Sequence, residues 1–141
     1  MKISLDTSII VEIERKNDEI IEIIEKLMKK HEIFISAVVM SEIFTGTYLR
    51  EDYEKATKKA KGLFSKFGII PLNTEIAEII GQINAFLIAD GSVIEYQDIA
   101  IAATFVYKKG DYLLTKNKKH FGRIPELSDK ALTPDEEDRI V

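Results

Sequence analysis

The strongest constraint on this chain is an alternation of two periods: short apolar runs of strand-forming residues recur between longer stretches that carry apolar side chains at helical spacing. The first run, residues 3–5, stops at Asp6-Thr7-Ser8, three residue types that cap helices. Asn17-Asp18 caps a helix to about residue 30, whose apolar stripe is Ile20, Ile21, Ile23, Ile24, Leu27 and Met28. A second run at 33–35 leads to Ser36, which caps a helix toward residue 49. A helix from near Asp52 to 66 is rich in Lys (Lys55, Lys58, Lys59, Lys61, Lys66) and is ended by Gly68 before a third run at 69–70. Asn73 or Thr74 starts a helix to about residue 90, Gly91-Ser92 breaks it, and a helix over 96–107 precedes a fourth run at 112–114.

Strands that alternate with helices predict an α/β fold with a parallel sheet covered on both faces. In such sheets ligands collect at the carboxyl ends of the strands, where strand order reverses. The 141 residues carry no repeat, linker or low-complexity tract, so residues 1–141 read as one domain, with 125–141 as a tail or a helix opened by Thr133-Pro134-Asp135-Glu136.

Composition removes several chemistries. There is no Cys, which excludes disulfides, thiolate zinc sites, iron-sulfur clusters and cysteine nucleophiles, and points to the cytoplasm. No apolar run approaches the roughly 18 residues of a membrane helix. The net charge of -4 gives no global attraction to nucleic acid, but Asp135, Glu136, Glu137 and Asp138 supply the whole excess, and the rest of the chain is neutral. A composition of 23 Ile, 16 Lys and 15 Glu against 4 Arg fits thermophile usage.

Against this background a few acids stand out. Asp6 follows the first run, where it is either a helix cap or a member of a site. Glu42 falls on the stripe of Val38 and Val39, where an unpaired carboxylate costs several kcal/mol; it either reaches solvent, pairs with a Lys, or serves a cation. Asp98 shares a face with Ile101, Ala102 and Phe105 in the first turn of its helix, where it is either a charge favoured by the helix dipole or a member of a site, and Glu95 reads as solvated or as a further carboxylate of the cluster. Each acid lies at a strand end or on the inward stripe of the helix attached to one. Gathered in one cavity, they would repel one another unless a cation neutralised them, and an all-oxygen set favours a hard ion, Mg²⁺ or Mn²⁺.

The segments Ile3-Ser4-Leu5-Asp6-Thr7-Ser8, Ser41-Glu42-Ile43, Gln97-Asp98-Ile99-Ala100-Ile101-Ala102-Ala103-Thr104 and Leu113-Leu114-Thr115-Lys116-Asn117-Lys118-Lys119-His120-Phe121 together resemble the ordered motifs of PIN-domain nucleases. Among those they are most similar to the VapC-type toxins of toxin-antitoxin modules, over residues 1 to about 124. The resemblance implies a Rossmann-like α/β/α sandwich with strand order 3-2-1-4, often with a fifth strand beside the fourth. It also implies metal-dependent hydrolysis of RNA to 5′-phosphate and 3′-hydroxyl ends. Asp6, Glu42 and Asp98 match the family's acidic metal positions, and Asn117 matches a fourth position that is Asp in many members and Asn in many VapC-like ones. A homodimer and a small antitoxin protein are the partners it implies.

Thr7, Ser8 and Thr115 are candidates to orient water or phosphate, with capping as the alternative, and Lys116, Lys118, Lys119, His120 and Arg123 are candidate RNA contacts beyond the fourth strand. Two other readings of the function remain: a non-catalytic PIN-like interaction module, and a housekeeping RNA-processing nuclease. A haloacid-dehalogenase-type site fits poorly, because the second Asp it needs two residues after the first is Ser8 here.

Overall fold

The computed structural model describes residues 1–140 as a three-layer α/β/α sandwich. Its elements are β1 (Lys2–Leu5), α1 (Thr7–Glu14), α2 (Asp18–Met28), β2 (Glu32–Ser36), α3 (Ala37–Tyr48), α4 (Tyr53–Phe64), β3 (Gly68–Ile70), α5 (Thr74–Asp90), α6 (Tyr96–Tyr107), β4 (Tyr112–Leu114), α7 (Lys118–Phe121) and β5 (Ala131–Leu132). Two 3-10 turns, Pro125–Leu127 and Pro134–Arg139, flank β5. All strand pairs are parallel, and the order is β3-β2-β1-β4-β5.

This order puts β1 and β4 side by side, with Leu5 opposite Leu114, and the chain leaves them toward opposite edges of the sheet. The strands are short and almost wholly apolar because both faces are covered: Ile3, Leu5, Ile35, Leu113 and Leu114 are fully buried. The helices start where the sequence signals them. Asn17, Ser36 and Asn73 each accept a backbone N–H of the first turn they cap, and Gly91 closes α5 in the left-handed region at φ 73°. α4 stops at Phe64, earlier than its Lys-rich pattern suggests, and Gly68 opens β3 instead of ending the helix. Among the described residues, no helix is long and apolar enough to cross a membrane.

The tail is where the sequence reading needs most correction. Residues 125–140 are neither a loose tail nor an α-helix. Ala131 and Leu132, both fully buried, form β5 on the edge of β4, and the Thr133 cap opens a 3-10 turn. Glu136 closes the capping box by accepting the Thr133 N–H at 3.1 Å, and it holds Lys118 at the start of α7 through both carboxylate oxygens at 2.8 Å. Lys26 on α2 lies 3.7 Å from Glu137, so the tail is fastened on two sides.

The Lys118 ammonium and the Thr133 N–H hold the Glu136 carboxyl at about 2, well below the ordinary value for a glutamate. A carboxyl with a depressed folded pKa stabilises the fold above its unfolded value near 4.5, and that contribution is lost as pH falls toward 2. Glu136→Gln is therefore expected to lower the melting temperature at pH 7 and to have a shrinking effect as the pH is taken from 5 to 2. Equal melting shifts at pH 7 and pH 2.5 in a thermal titration would count against this role.

Candidate active site

Four candidate acids meet around one cleft at the carboxyl edge of the sheet. The cleft has a volume of about 270 Å³ and is lined by Asp6, Thr7, Ser8, Val11, Glu42, Glu95, Asp98, Asn117 and His120. β1 delivers Asp6, the inward face of α3 delivers Glu42, the start of α6 delivers Glu95 and Asp98, and the turn between β4 and α7 delivers Asn117.

Asp6 is 2% exposed and does two things at once. Its carboxylate accepts the Ile9 N–H at 3.3 Å, which caps α1, and also forms the floor of the cleft. Two hydroxyls grip it: Ser8 Oγ donates to Oδ1 at 2.5 Å and Thr115 Oγ1 donates to Oδ2 at 2.6 Å. Neither hydroxyl is free to turn away, because each also accepts a backbone N–H of the loop after β4. Lys116 N donates to Ser8 Oγ at 3.0 Å, and Asn117 N donates to Thr115 Oγ1 at 2.8 Å. The paired relays tie the end of β1 to the segment that carries Asn117.

Burial pushes the Asp6 carboxyl above the ordinary range; the Ser8, Thr115 and Ile9 hydrogen bonds pull it back in part, and the Asp98 charge raises it again. Asp98 is also raised, first by burial and further by Glu95, against the lowering effect of His120. His120 Nδ1 lies 3.5 Å from Asp98 Oδ2. Glu42 is half-buried and accepts the Thr7 hydroxyl at 2.6 Å. Glu95 is exposed, as its solvated reading anticipates, yet its side chain lines the cleft.

The donor set has the chemistry of a hard-cation site: carboxylate and amide oxygens, partly desolvated, with Asp6 and Asp98 both raised first by burial, Asp6 further by Asp98 and Asp98 further by Glu95. Among the described residues, however, no three His, Asp or Glu side chains are close enough together to ligate one ion as they stand. The side chains therefore fit a cation by chemical type and by location, and must draw inward to enclose it.

The basic candidates divide. Lys116 Nζ is 3.0 Å from Glu12 on α1, and Lys118 is held by Glu136, so both are ion-paired. Lys119 and Arg123 are exposed and, among the described residues, have no carboxylate within ion-pairing distance. Glu12 is a residue that sequence reasoning missed. It accepts from Asn17 Nδ2 at 2.7 Å as well as from Lys116, and these bonds hold its carboxyl below the ordinary range. No local signal announces it, because its partner is 104 positions away.

The PIN domain family matches residues 3–127 of the chain. A VapC ribonuclease of Pyrococcus furiosus is 31% identical over 100 residues, an alignment that covers 70% of this chain and 64% of that protein, just under two thirds of its length. Among solved structures, a chain of VapBC2 from Rickettsia felis, crystallised with a fragment of promoter DNA, superposes with a TM-score of 0.86 at 28% identity, over 94% of this chain and 98% of that one. A chain of DNA-bound VapBC from Salmonella typhimurium gives 0.82 at 25% identity, over 95% and 98%.

Proposed function

We propose, because the chain belongs to the PIN-domain family, that it is a divalent-metal-dependent endoribonuclease and the toxin of a toxin-antitoxin pair. One observation carries this reading: Asp6, a carboxylate that is costly to bury, is held by two hydroxyl relays at the floor of a cleft that Glu42, Glu95 and Asp98 also line. A fold gains no stability from like charges brought together this way, so the arrangement is better explained by a cation that binds there.

Asp6, Glu42, Asp98 and Asn117 would hold Mg²⁺ or Mn²⁺, which lowers the pKa of water toward neutrality and stabilises charge on a phosphate undergoing attack. The chain's own side chains do the rest. Ser8 and Thr115 orient both oxygens of Asp6, Thr7 orients Glu42, and His120 stands beside Asp98 as a positive partner when protonated. Lys119 and Arg123, exposed at α7, offer charge to a phosphate backbone that approaches the cleft. Asn117 contributes no charge, so the site supports a second ion less strongly than one with Asp at this position would. Relatives crystallised as VapBC complexes support a small antitoxin partner for this chain, and a homodimer belongs to the same reading.

That no three of these side chains, among the described residues, stand close enough to ligate one ion favours a second reading, a PIN-like module that binds without cutting. Incubation of end-labelled single-stranded RNA with the chain in Mg²⁺, Mn²⁺ or EDTA separates the two. The expected result is cleavage to 5′-phosphate and 3′-hydroxyl ends, abolished by EDTA and restored by added metal. No cleavage in either metal, or cleavage that survives EDTA and leaves 2′,3′-cyclic phosphate, would sink the nuclease reading.

A further inference from the structure

The strongest feature outside the active site is a second cleft of about 280 Å³, formed where α3 meets α4 and lined by Tyr48, Tyr53, Glu54, Thr57, Lys58 and Lys61. Tyr48 is 59% exposed and Tyr53 is 43% exposed, so both rings are accessible to solvent. Their rings sit 5.9 Å apart with 30° between the planes, tilted against each other at the junction of the two helices, and neither is buried in the core. α4 carries Lys55, Lys58, Lys59 and Lys61 against one acid, Glu54. None of these four lysines has a carboxylate within ion-pairing distance among the described residues, whereas Lys26, Lys116 and Lys118 are all paired. In a chain of net charge -4 this is a concentrated positive face beside an aromatic platform.

The cleft also lies within reach of the active site. Tyr48 is six residues beyond Glu42 on the same helix, about 9 Å along the axis and about 120° around it. The exposed Ser41, Thr45 and Leu49 cover the surface between them, with no acid on that path. α4 runs antiparallel to α3, as the Thr47–Thr57 hydroxyl contact at 3.0 Å and the edge-to-face packing of Phe44 on Phe64 show. Lys58 and Lys61 therefore lead from the tyrosines back along α4 toward the level of Glu42.

We propose that this cleft binds single-stranded RNA, with bases stacked on Tyr48 and Tyr53 and phosphates held by Lys58 and Lys61, several nucleotides away from the bond cleaved at Asp6. The proposal rests on the nuclease reading for its biological sense. Its recognition chemistry is sequence-tolerant: every base has a face that stacks on an aromatic ring, and lysines track phosphates without reading bases. A folded duplex suits it less well, since paired bases have no free faces to offer.

The test measures affinity of the full-length chain for a fluorescein-labelled 12-nucleotide single-stranded RNA, by anisotropy at several salt concentrations. An Asp6→Asn background keeps the probe intact. Tyr48→Ala with Tyr53→Ala is expected to weaken binding about tenfold or more, and Tyr48→Phe with Tyr53→Phe to retain it, since stacking needs the ring and not the hydroxyl. Lys58→Ala with Lys61→Ala should reduce the slope of log affinity against log salt by about 1.4, the value for two lost phosphate contacts on a single strand. Lys29→Ala with Lys30→Ala removes equal charge from exposed positions at the end of α2 and should change binding little.

Unchanged RNA affinity in both cleft variants overturns the proposal, including the case in which the cleft instead takes an acidic peptide. So does a loss no larger than that of the Lys29 and Lys30 pair, or a failure of the Asp6→Asn chain to bind RNA at all. A parallel cleavage assay with native Asp6 keeps the two readings apart. Cleavage with unaltered cleft-variant affinity rejects the cleft alone, and weakened cleft-variant binding without cleavage by the native chain rejects the nuclease alone.

Discussion

Asp6→Asn is expected to lower metal-dependent RNA cleavage by at least about 10²-fold while raising the melting temperature at neutral pH. The two effects have one cause. Burial holds the Asp6 carboxyl above the ordinary range, so the folded chain keeps that proton more tightly than the unfolded chain does. Stability from this group is therefore greatest at low pH and declines as pH rises through the unfolded value near 3.8 and on through the raised folded one. At pH 7 the charge burdens the fold, and removing it relieves the burden. Asn is the replacement that isolates this effect. It is as good a helix cap as Asp, its oxygen can keep the bonds from Ser8 and Ile9, and its amide nitrogen can donate to Thr115 Oγ1, which has a second lone pair beside the one used by Asn117 N. The stability gain should fade as the solution is acidified toward the pKa of the unfolded chain. A variant that melts lower than the native chain at pH 7, by a margin that shrinks only as the pH falls below the unfolded value near 3.8, would show that the hydrogen bonds outweigh burial and that Asp6 stabilises the fold as an ion.

The fold was legible because its strands and helices are locally consistent with their sequence. Residues 3–5 cannot be a long helix between a charged Lys2 and the cap at Asp6, and the periods of α2, α5 and α6 leave little choice of face. Two of the site acids could be singled out for the opposite reason. Glu42 and Asp98 break the apolar stripe of their own helices, and a local conflict of this kind is what a functional position leaves in a sequence. Asn117 had no such signal in its own segment. It is exposed, it caps α7 without a side-chain bond, and only the resemblance to a family motif picked it out.

Pairings across long sequence separations stayed hidden. The basic run after β4 reads as a uniform surface for phosphate, yet Lys116 is committed to Glu12 and Lys118 to Glu136, while Lys119 and Arg123 have no ion pair among the described residues. β5 has no signal in its own two residues, which carry no detectable period; the resemblance anticipated a fifth strand beside the fourth, and Ala131-Leu132 supplies it where β4 offers an open edge. The tyrosine cleft escaped for a related reason. Tyr48 and Tyr53 fall at the end of one helix and the start of the next, where periodicity says nothing about whether two rings will meet.

Thr115→Val should be the most damaging of the small substitutions near the site. Thr115 is fully buried and Val nearly matches its shape, so packing is preserved and only the hydroxyl is lost. Among the described residues that hydroxyl is the one side-chain donor to Asp6 Oδ2, and it is also the acceptor for the Asn117 N–H. Its removal leaves a buried carboxylate oxygen and a backbone N–H without partners, each a loss of about 1–3 kcal/mol. The expected destabilisation is about 2–6 kcal/mol, or roughly 5–20 °C in melting temperature for a domain of this size. Thr115→Ser, which keeps the hydroxyl, should lose far less. The dependence on charge gives the sharper test. The Thr115 bond lowers the Asp6 pKa, so it is stronger toward the carboxylate than toward the acid, and the valine penalty should shrink as pH falls and Asp6 takes up its proton. For the same reason the penalty should be smaller in an Asp6→Asn background than in the native one, a coupling that a double-mutant cycle reads directly. Equal penalties in the two backgrounds would mean that Thr115 supports the loop after β4 and not the carboxylate. The relay from Asp6 to the Asn117 backbone would then be two independent bonds that share an atom.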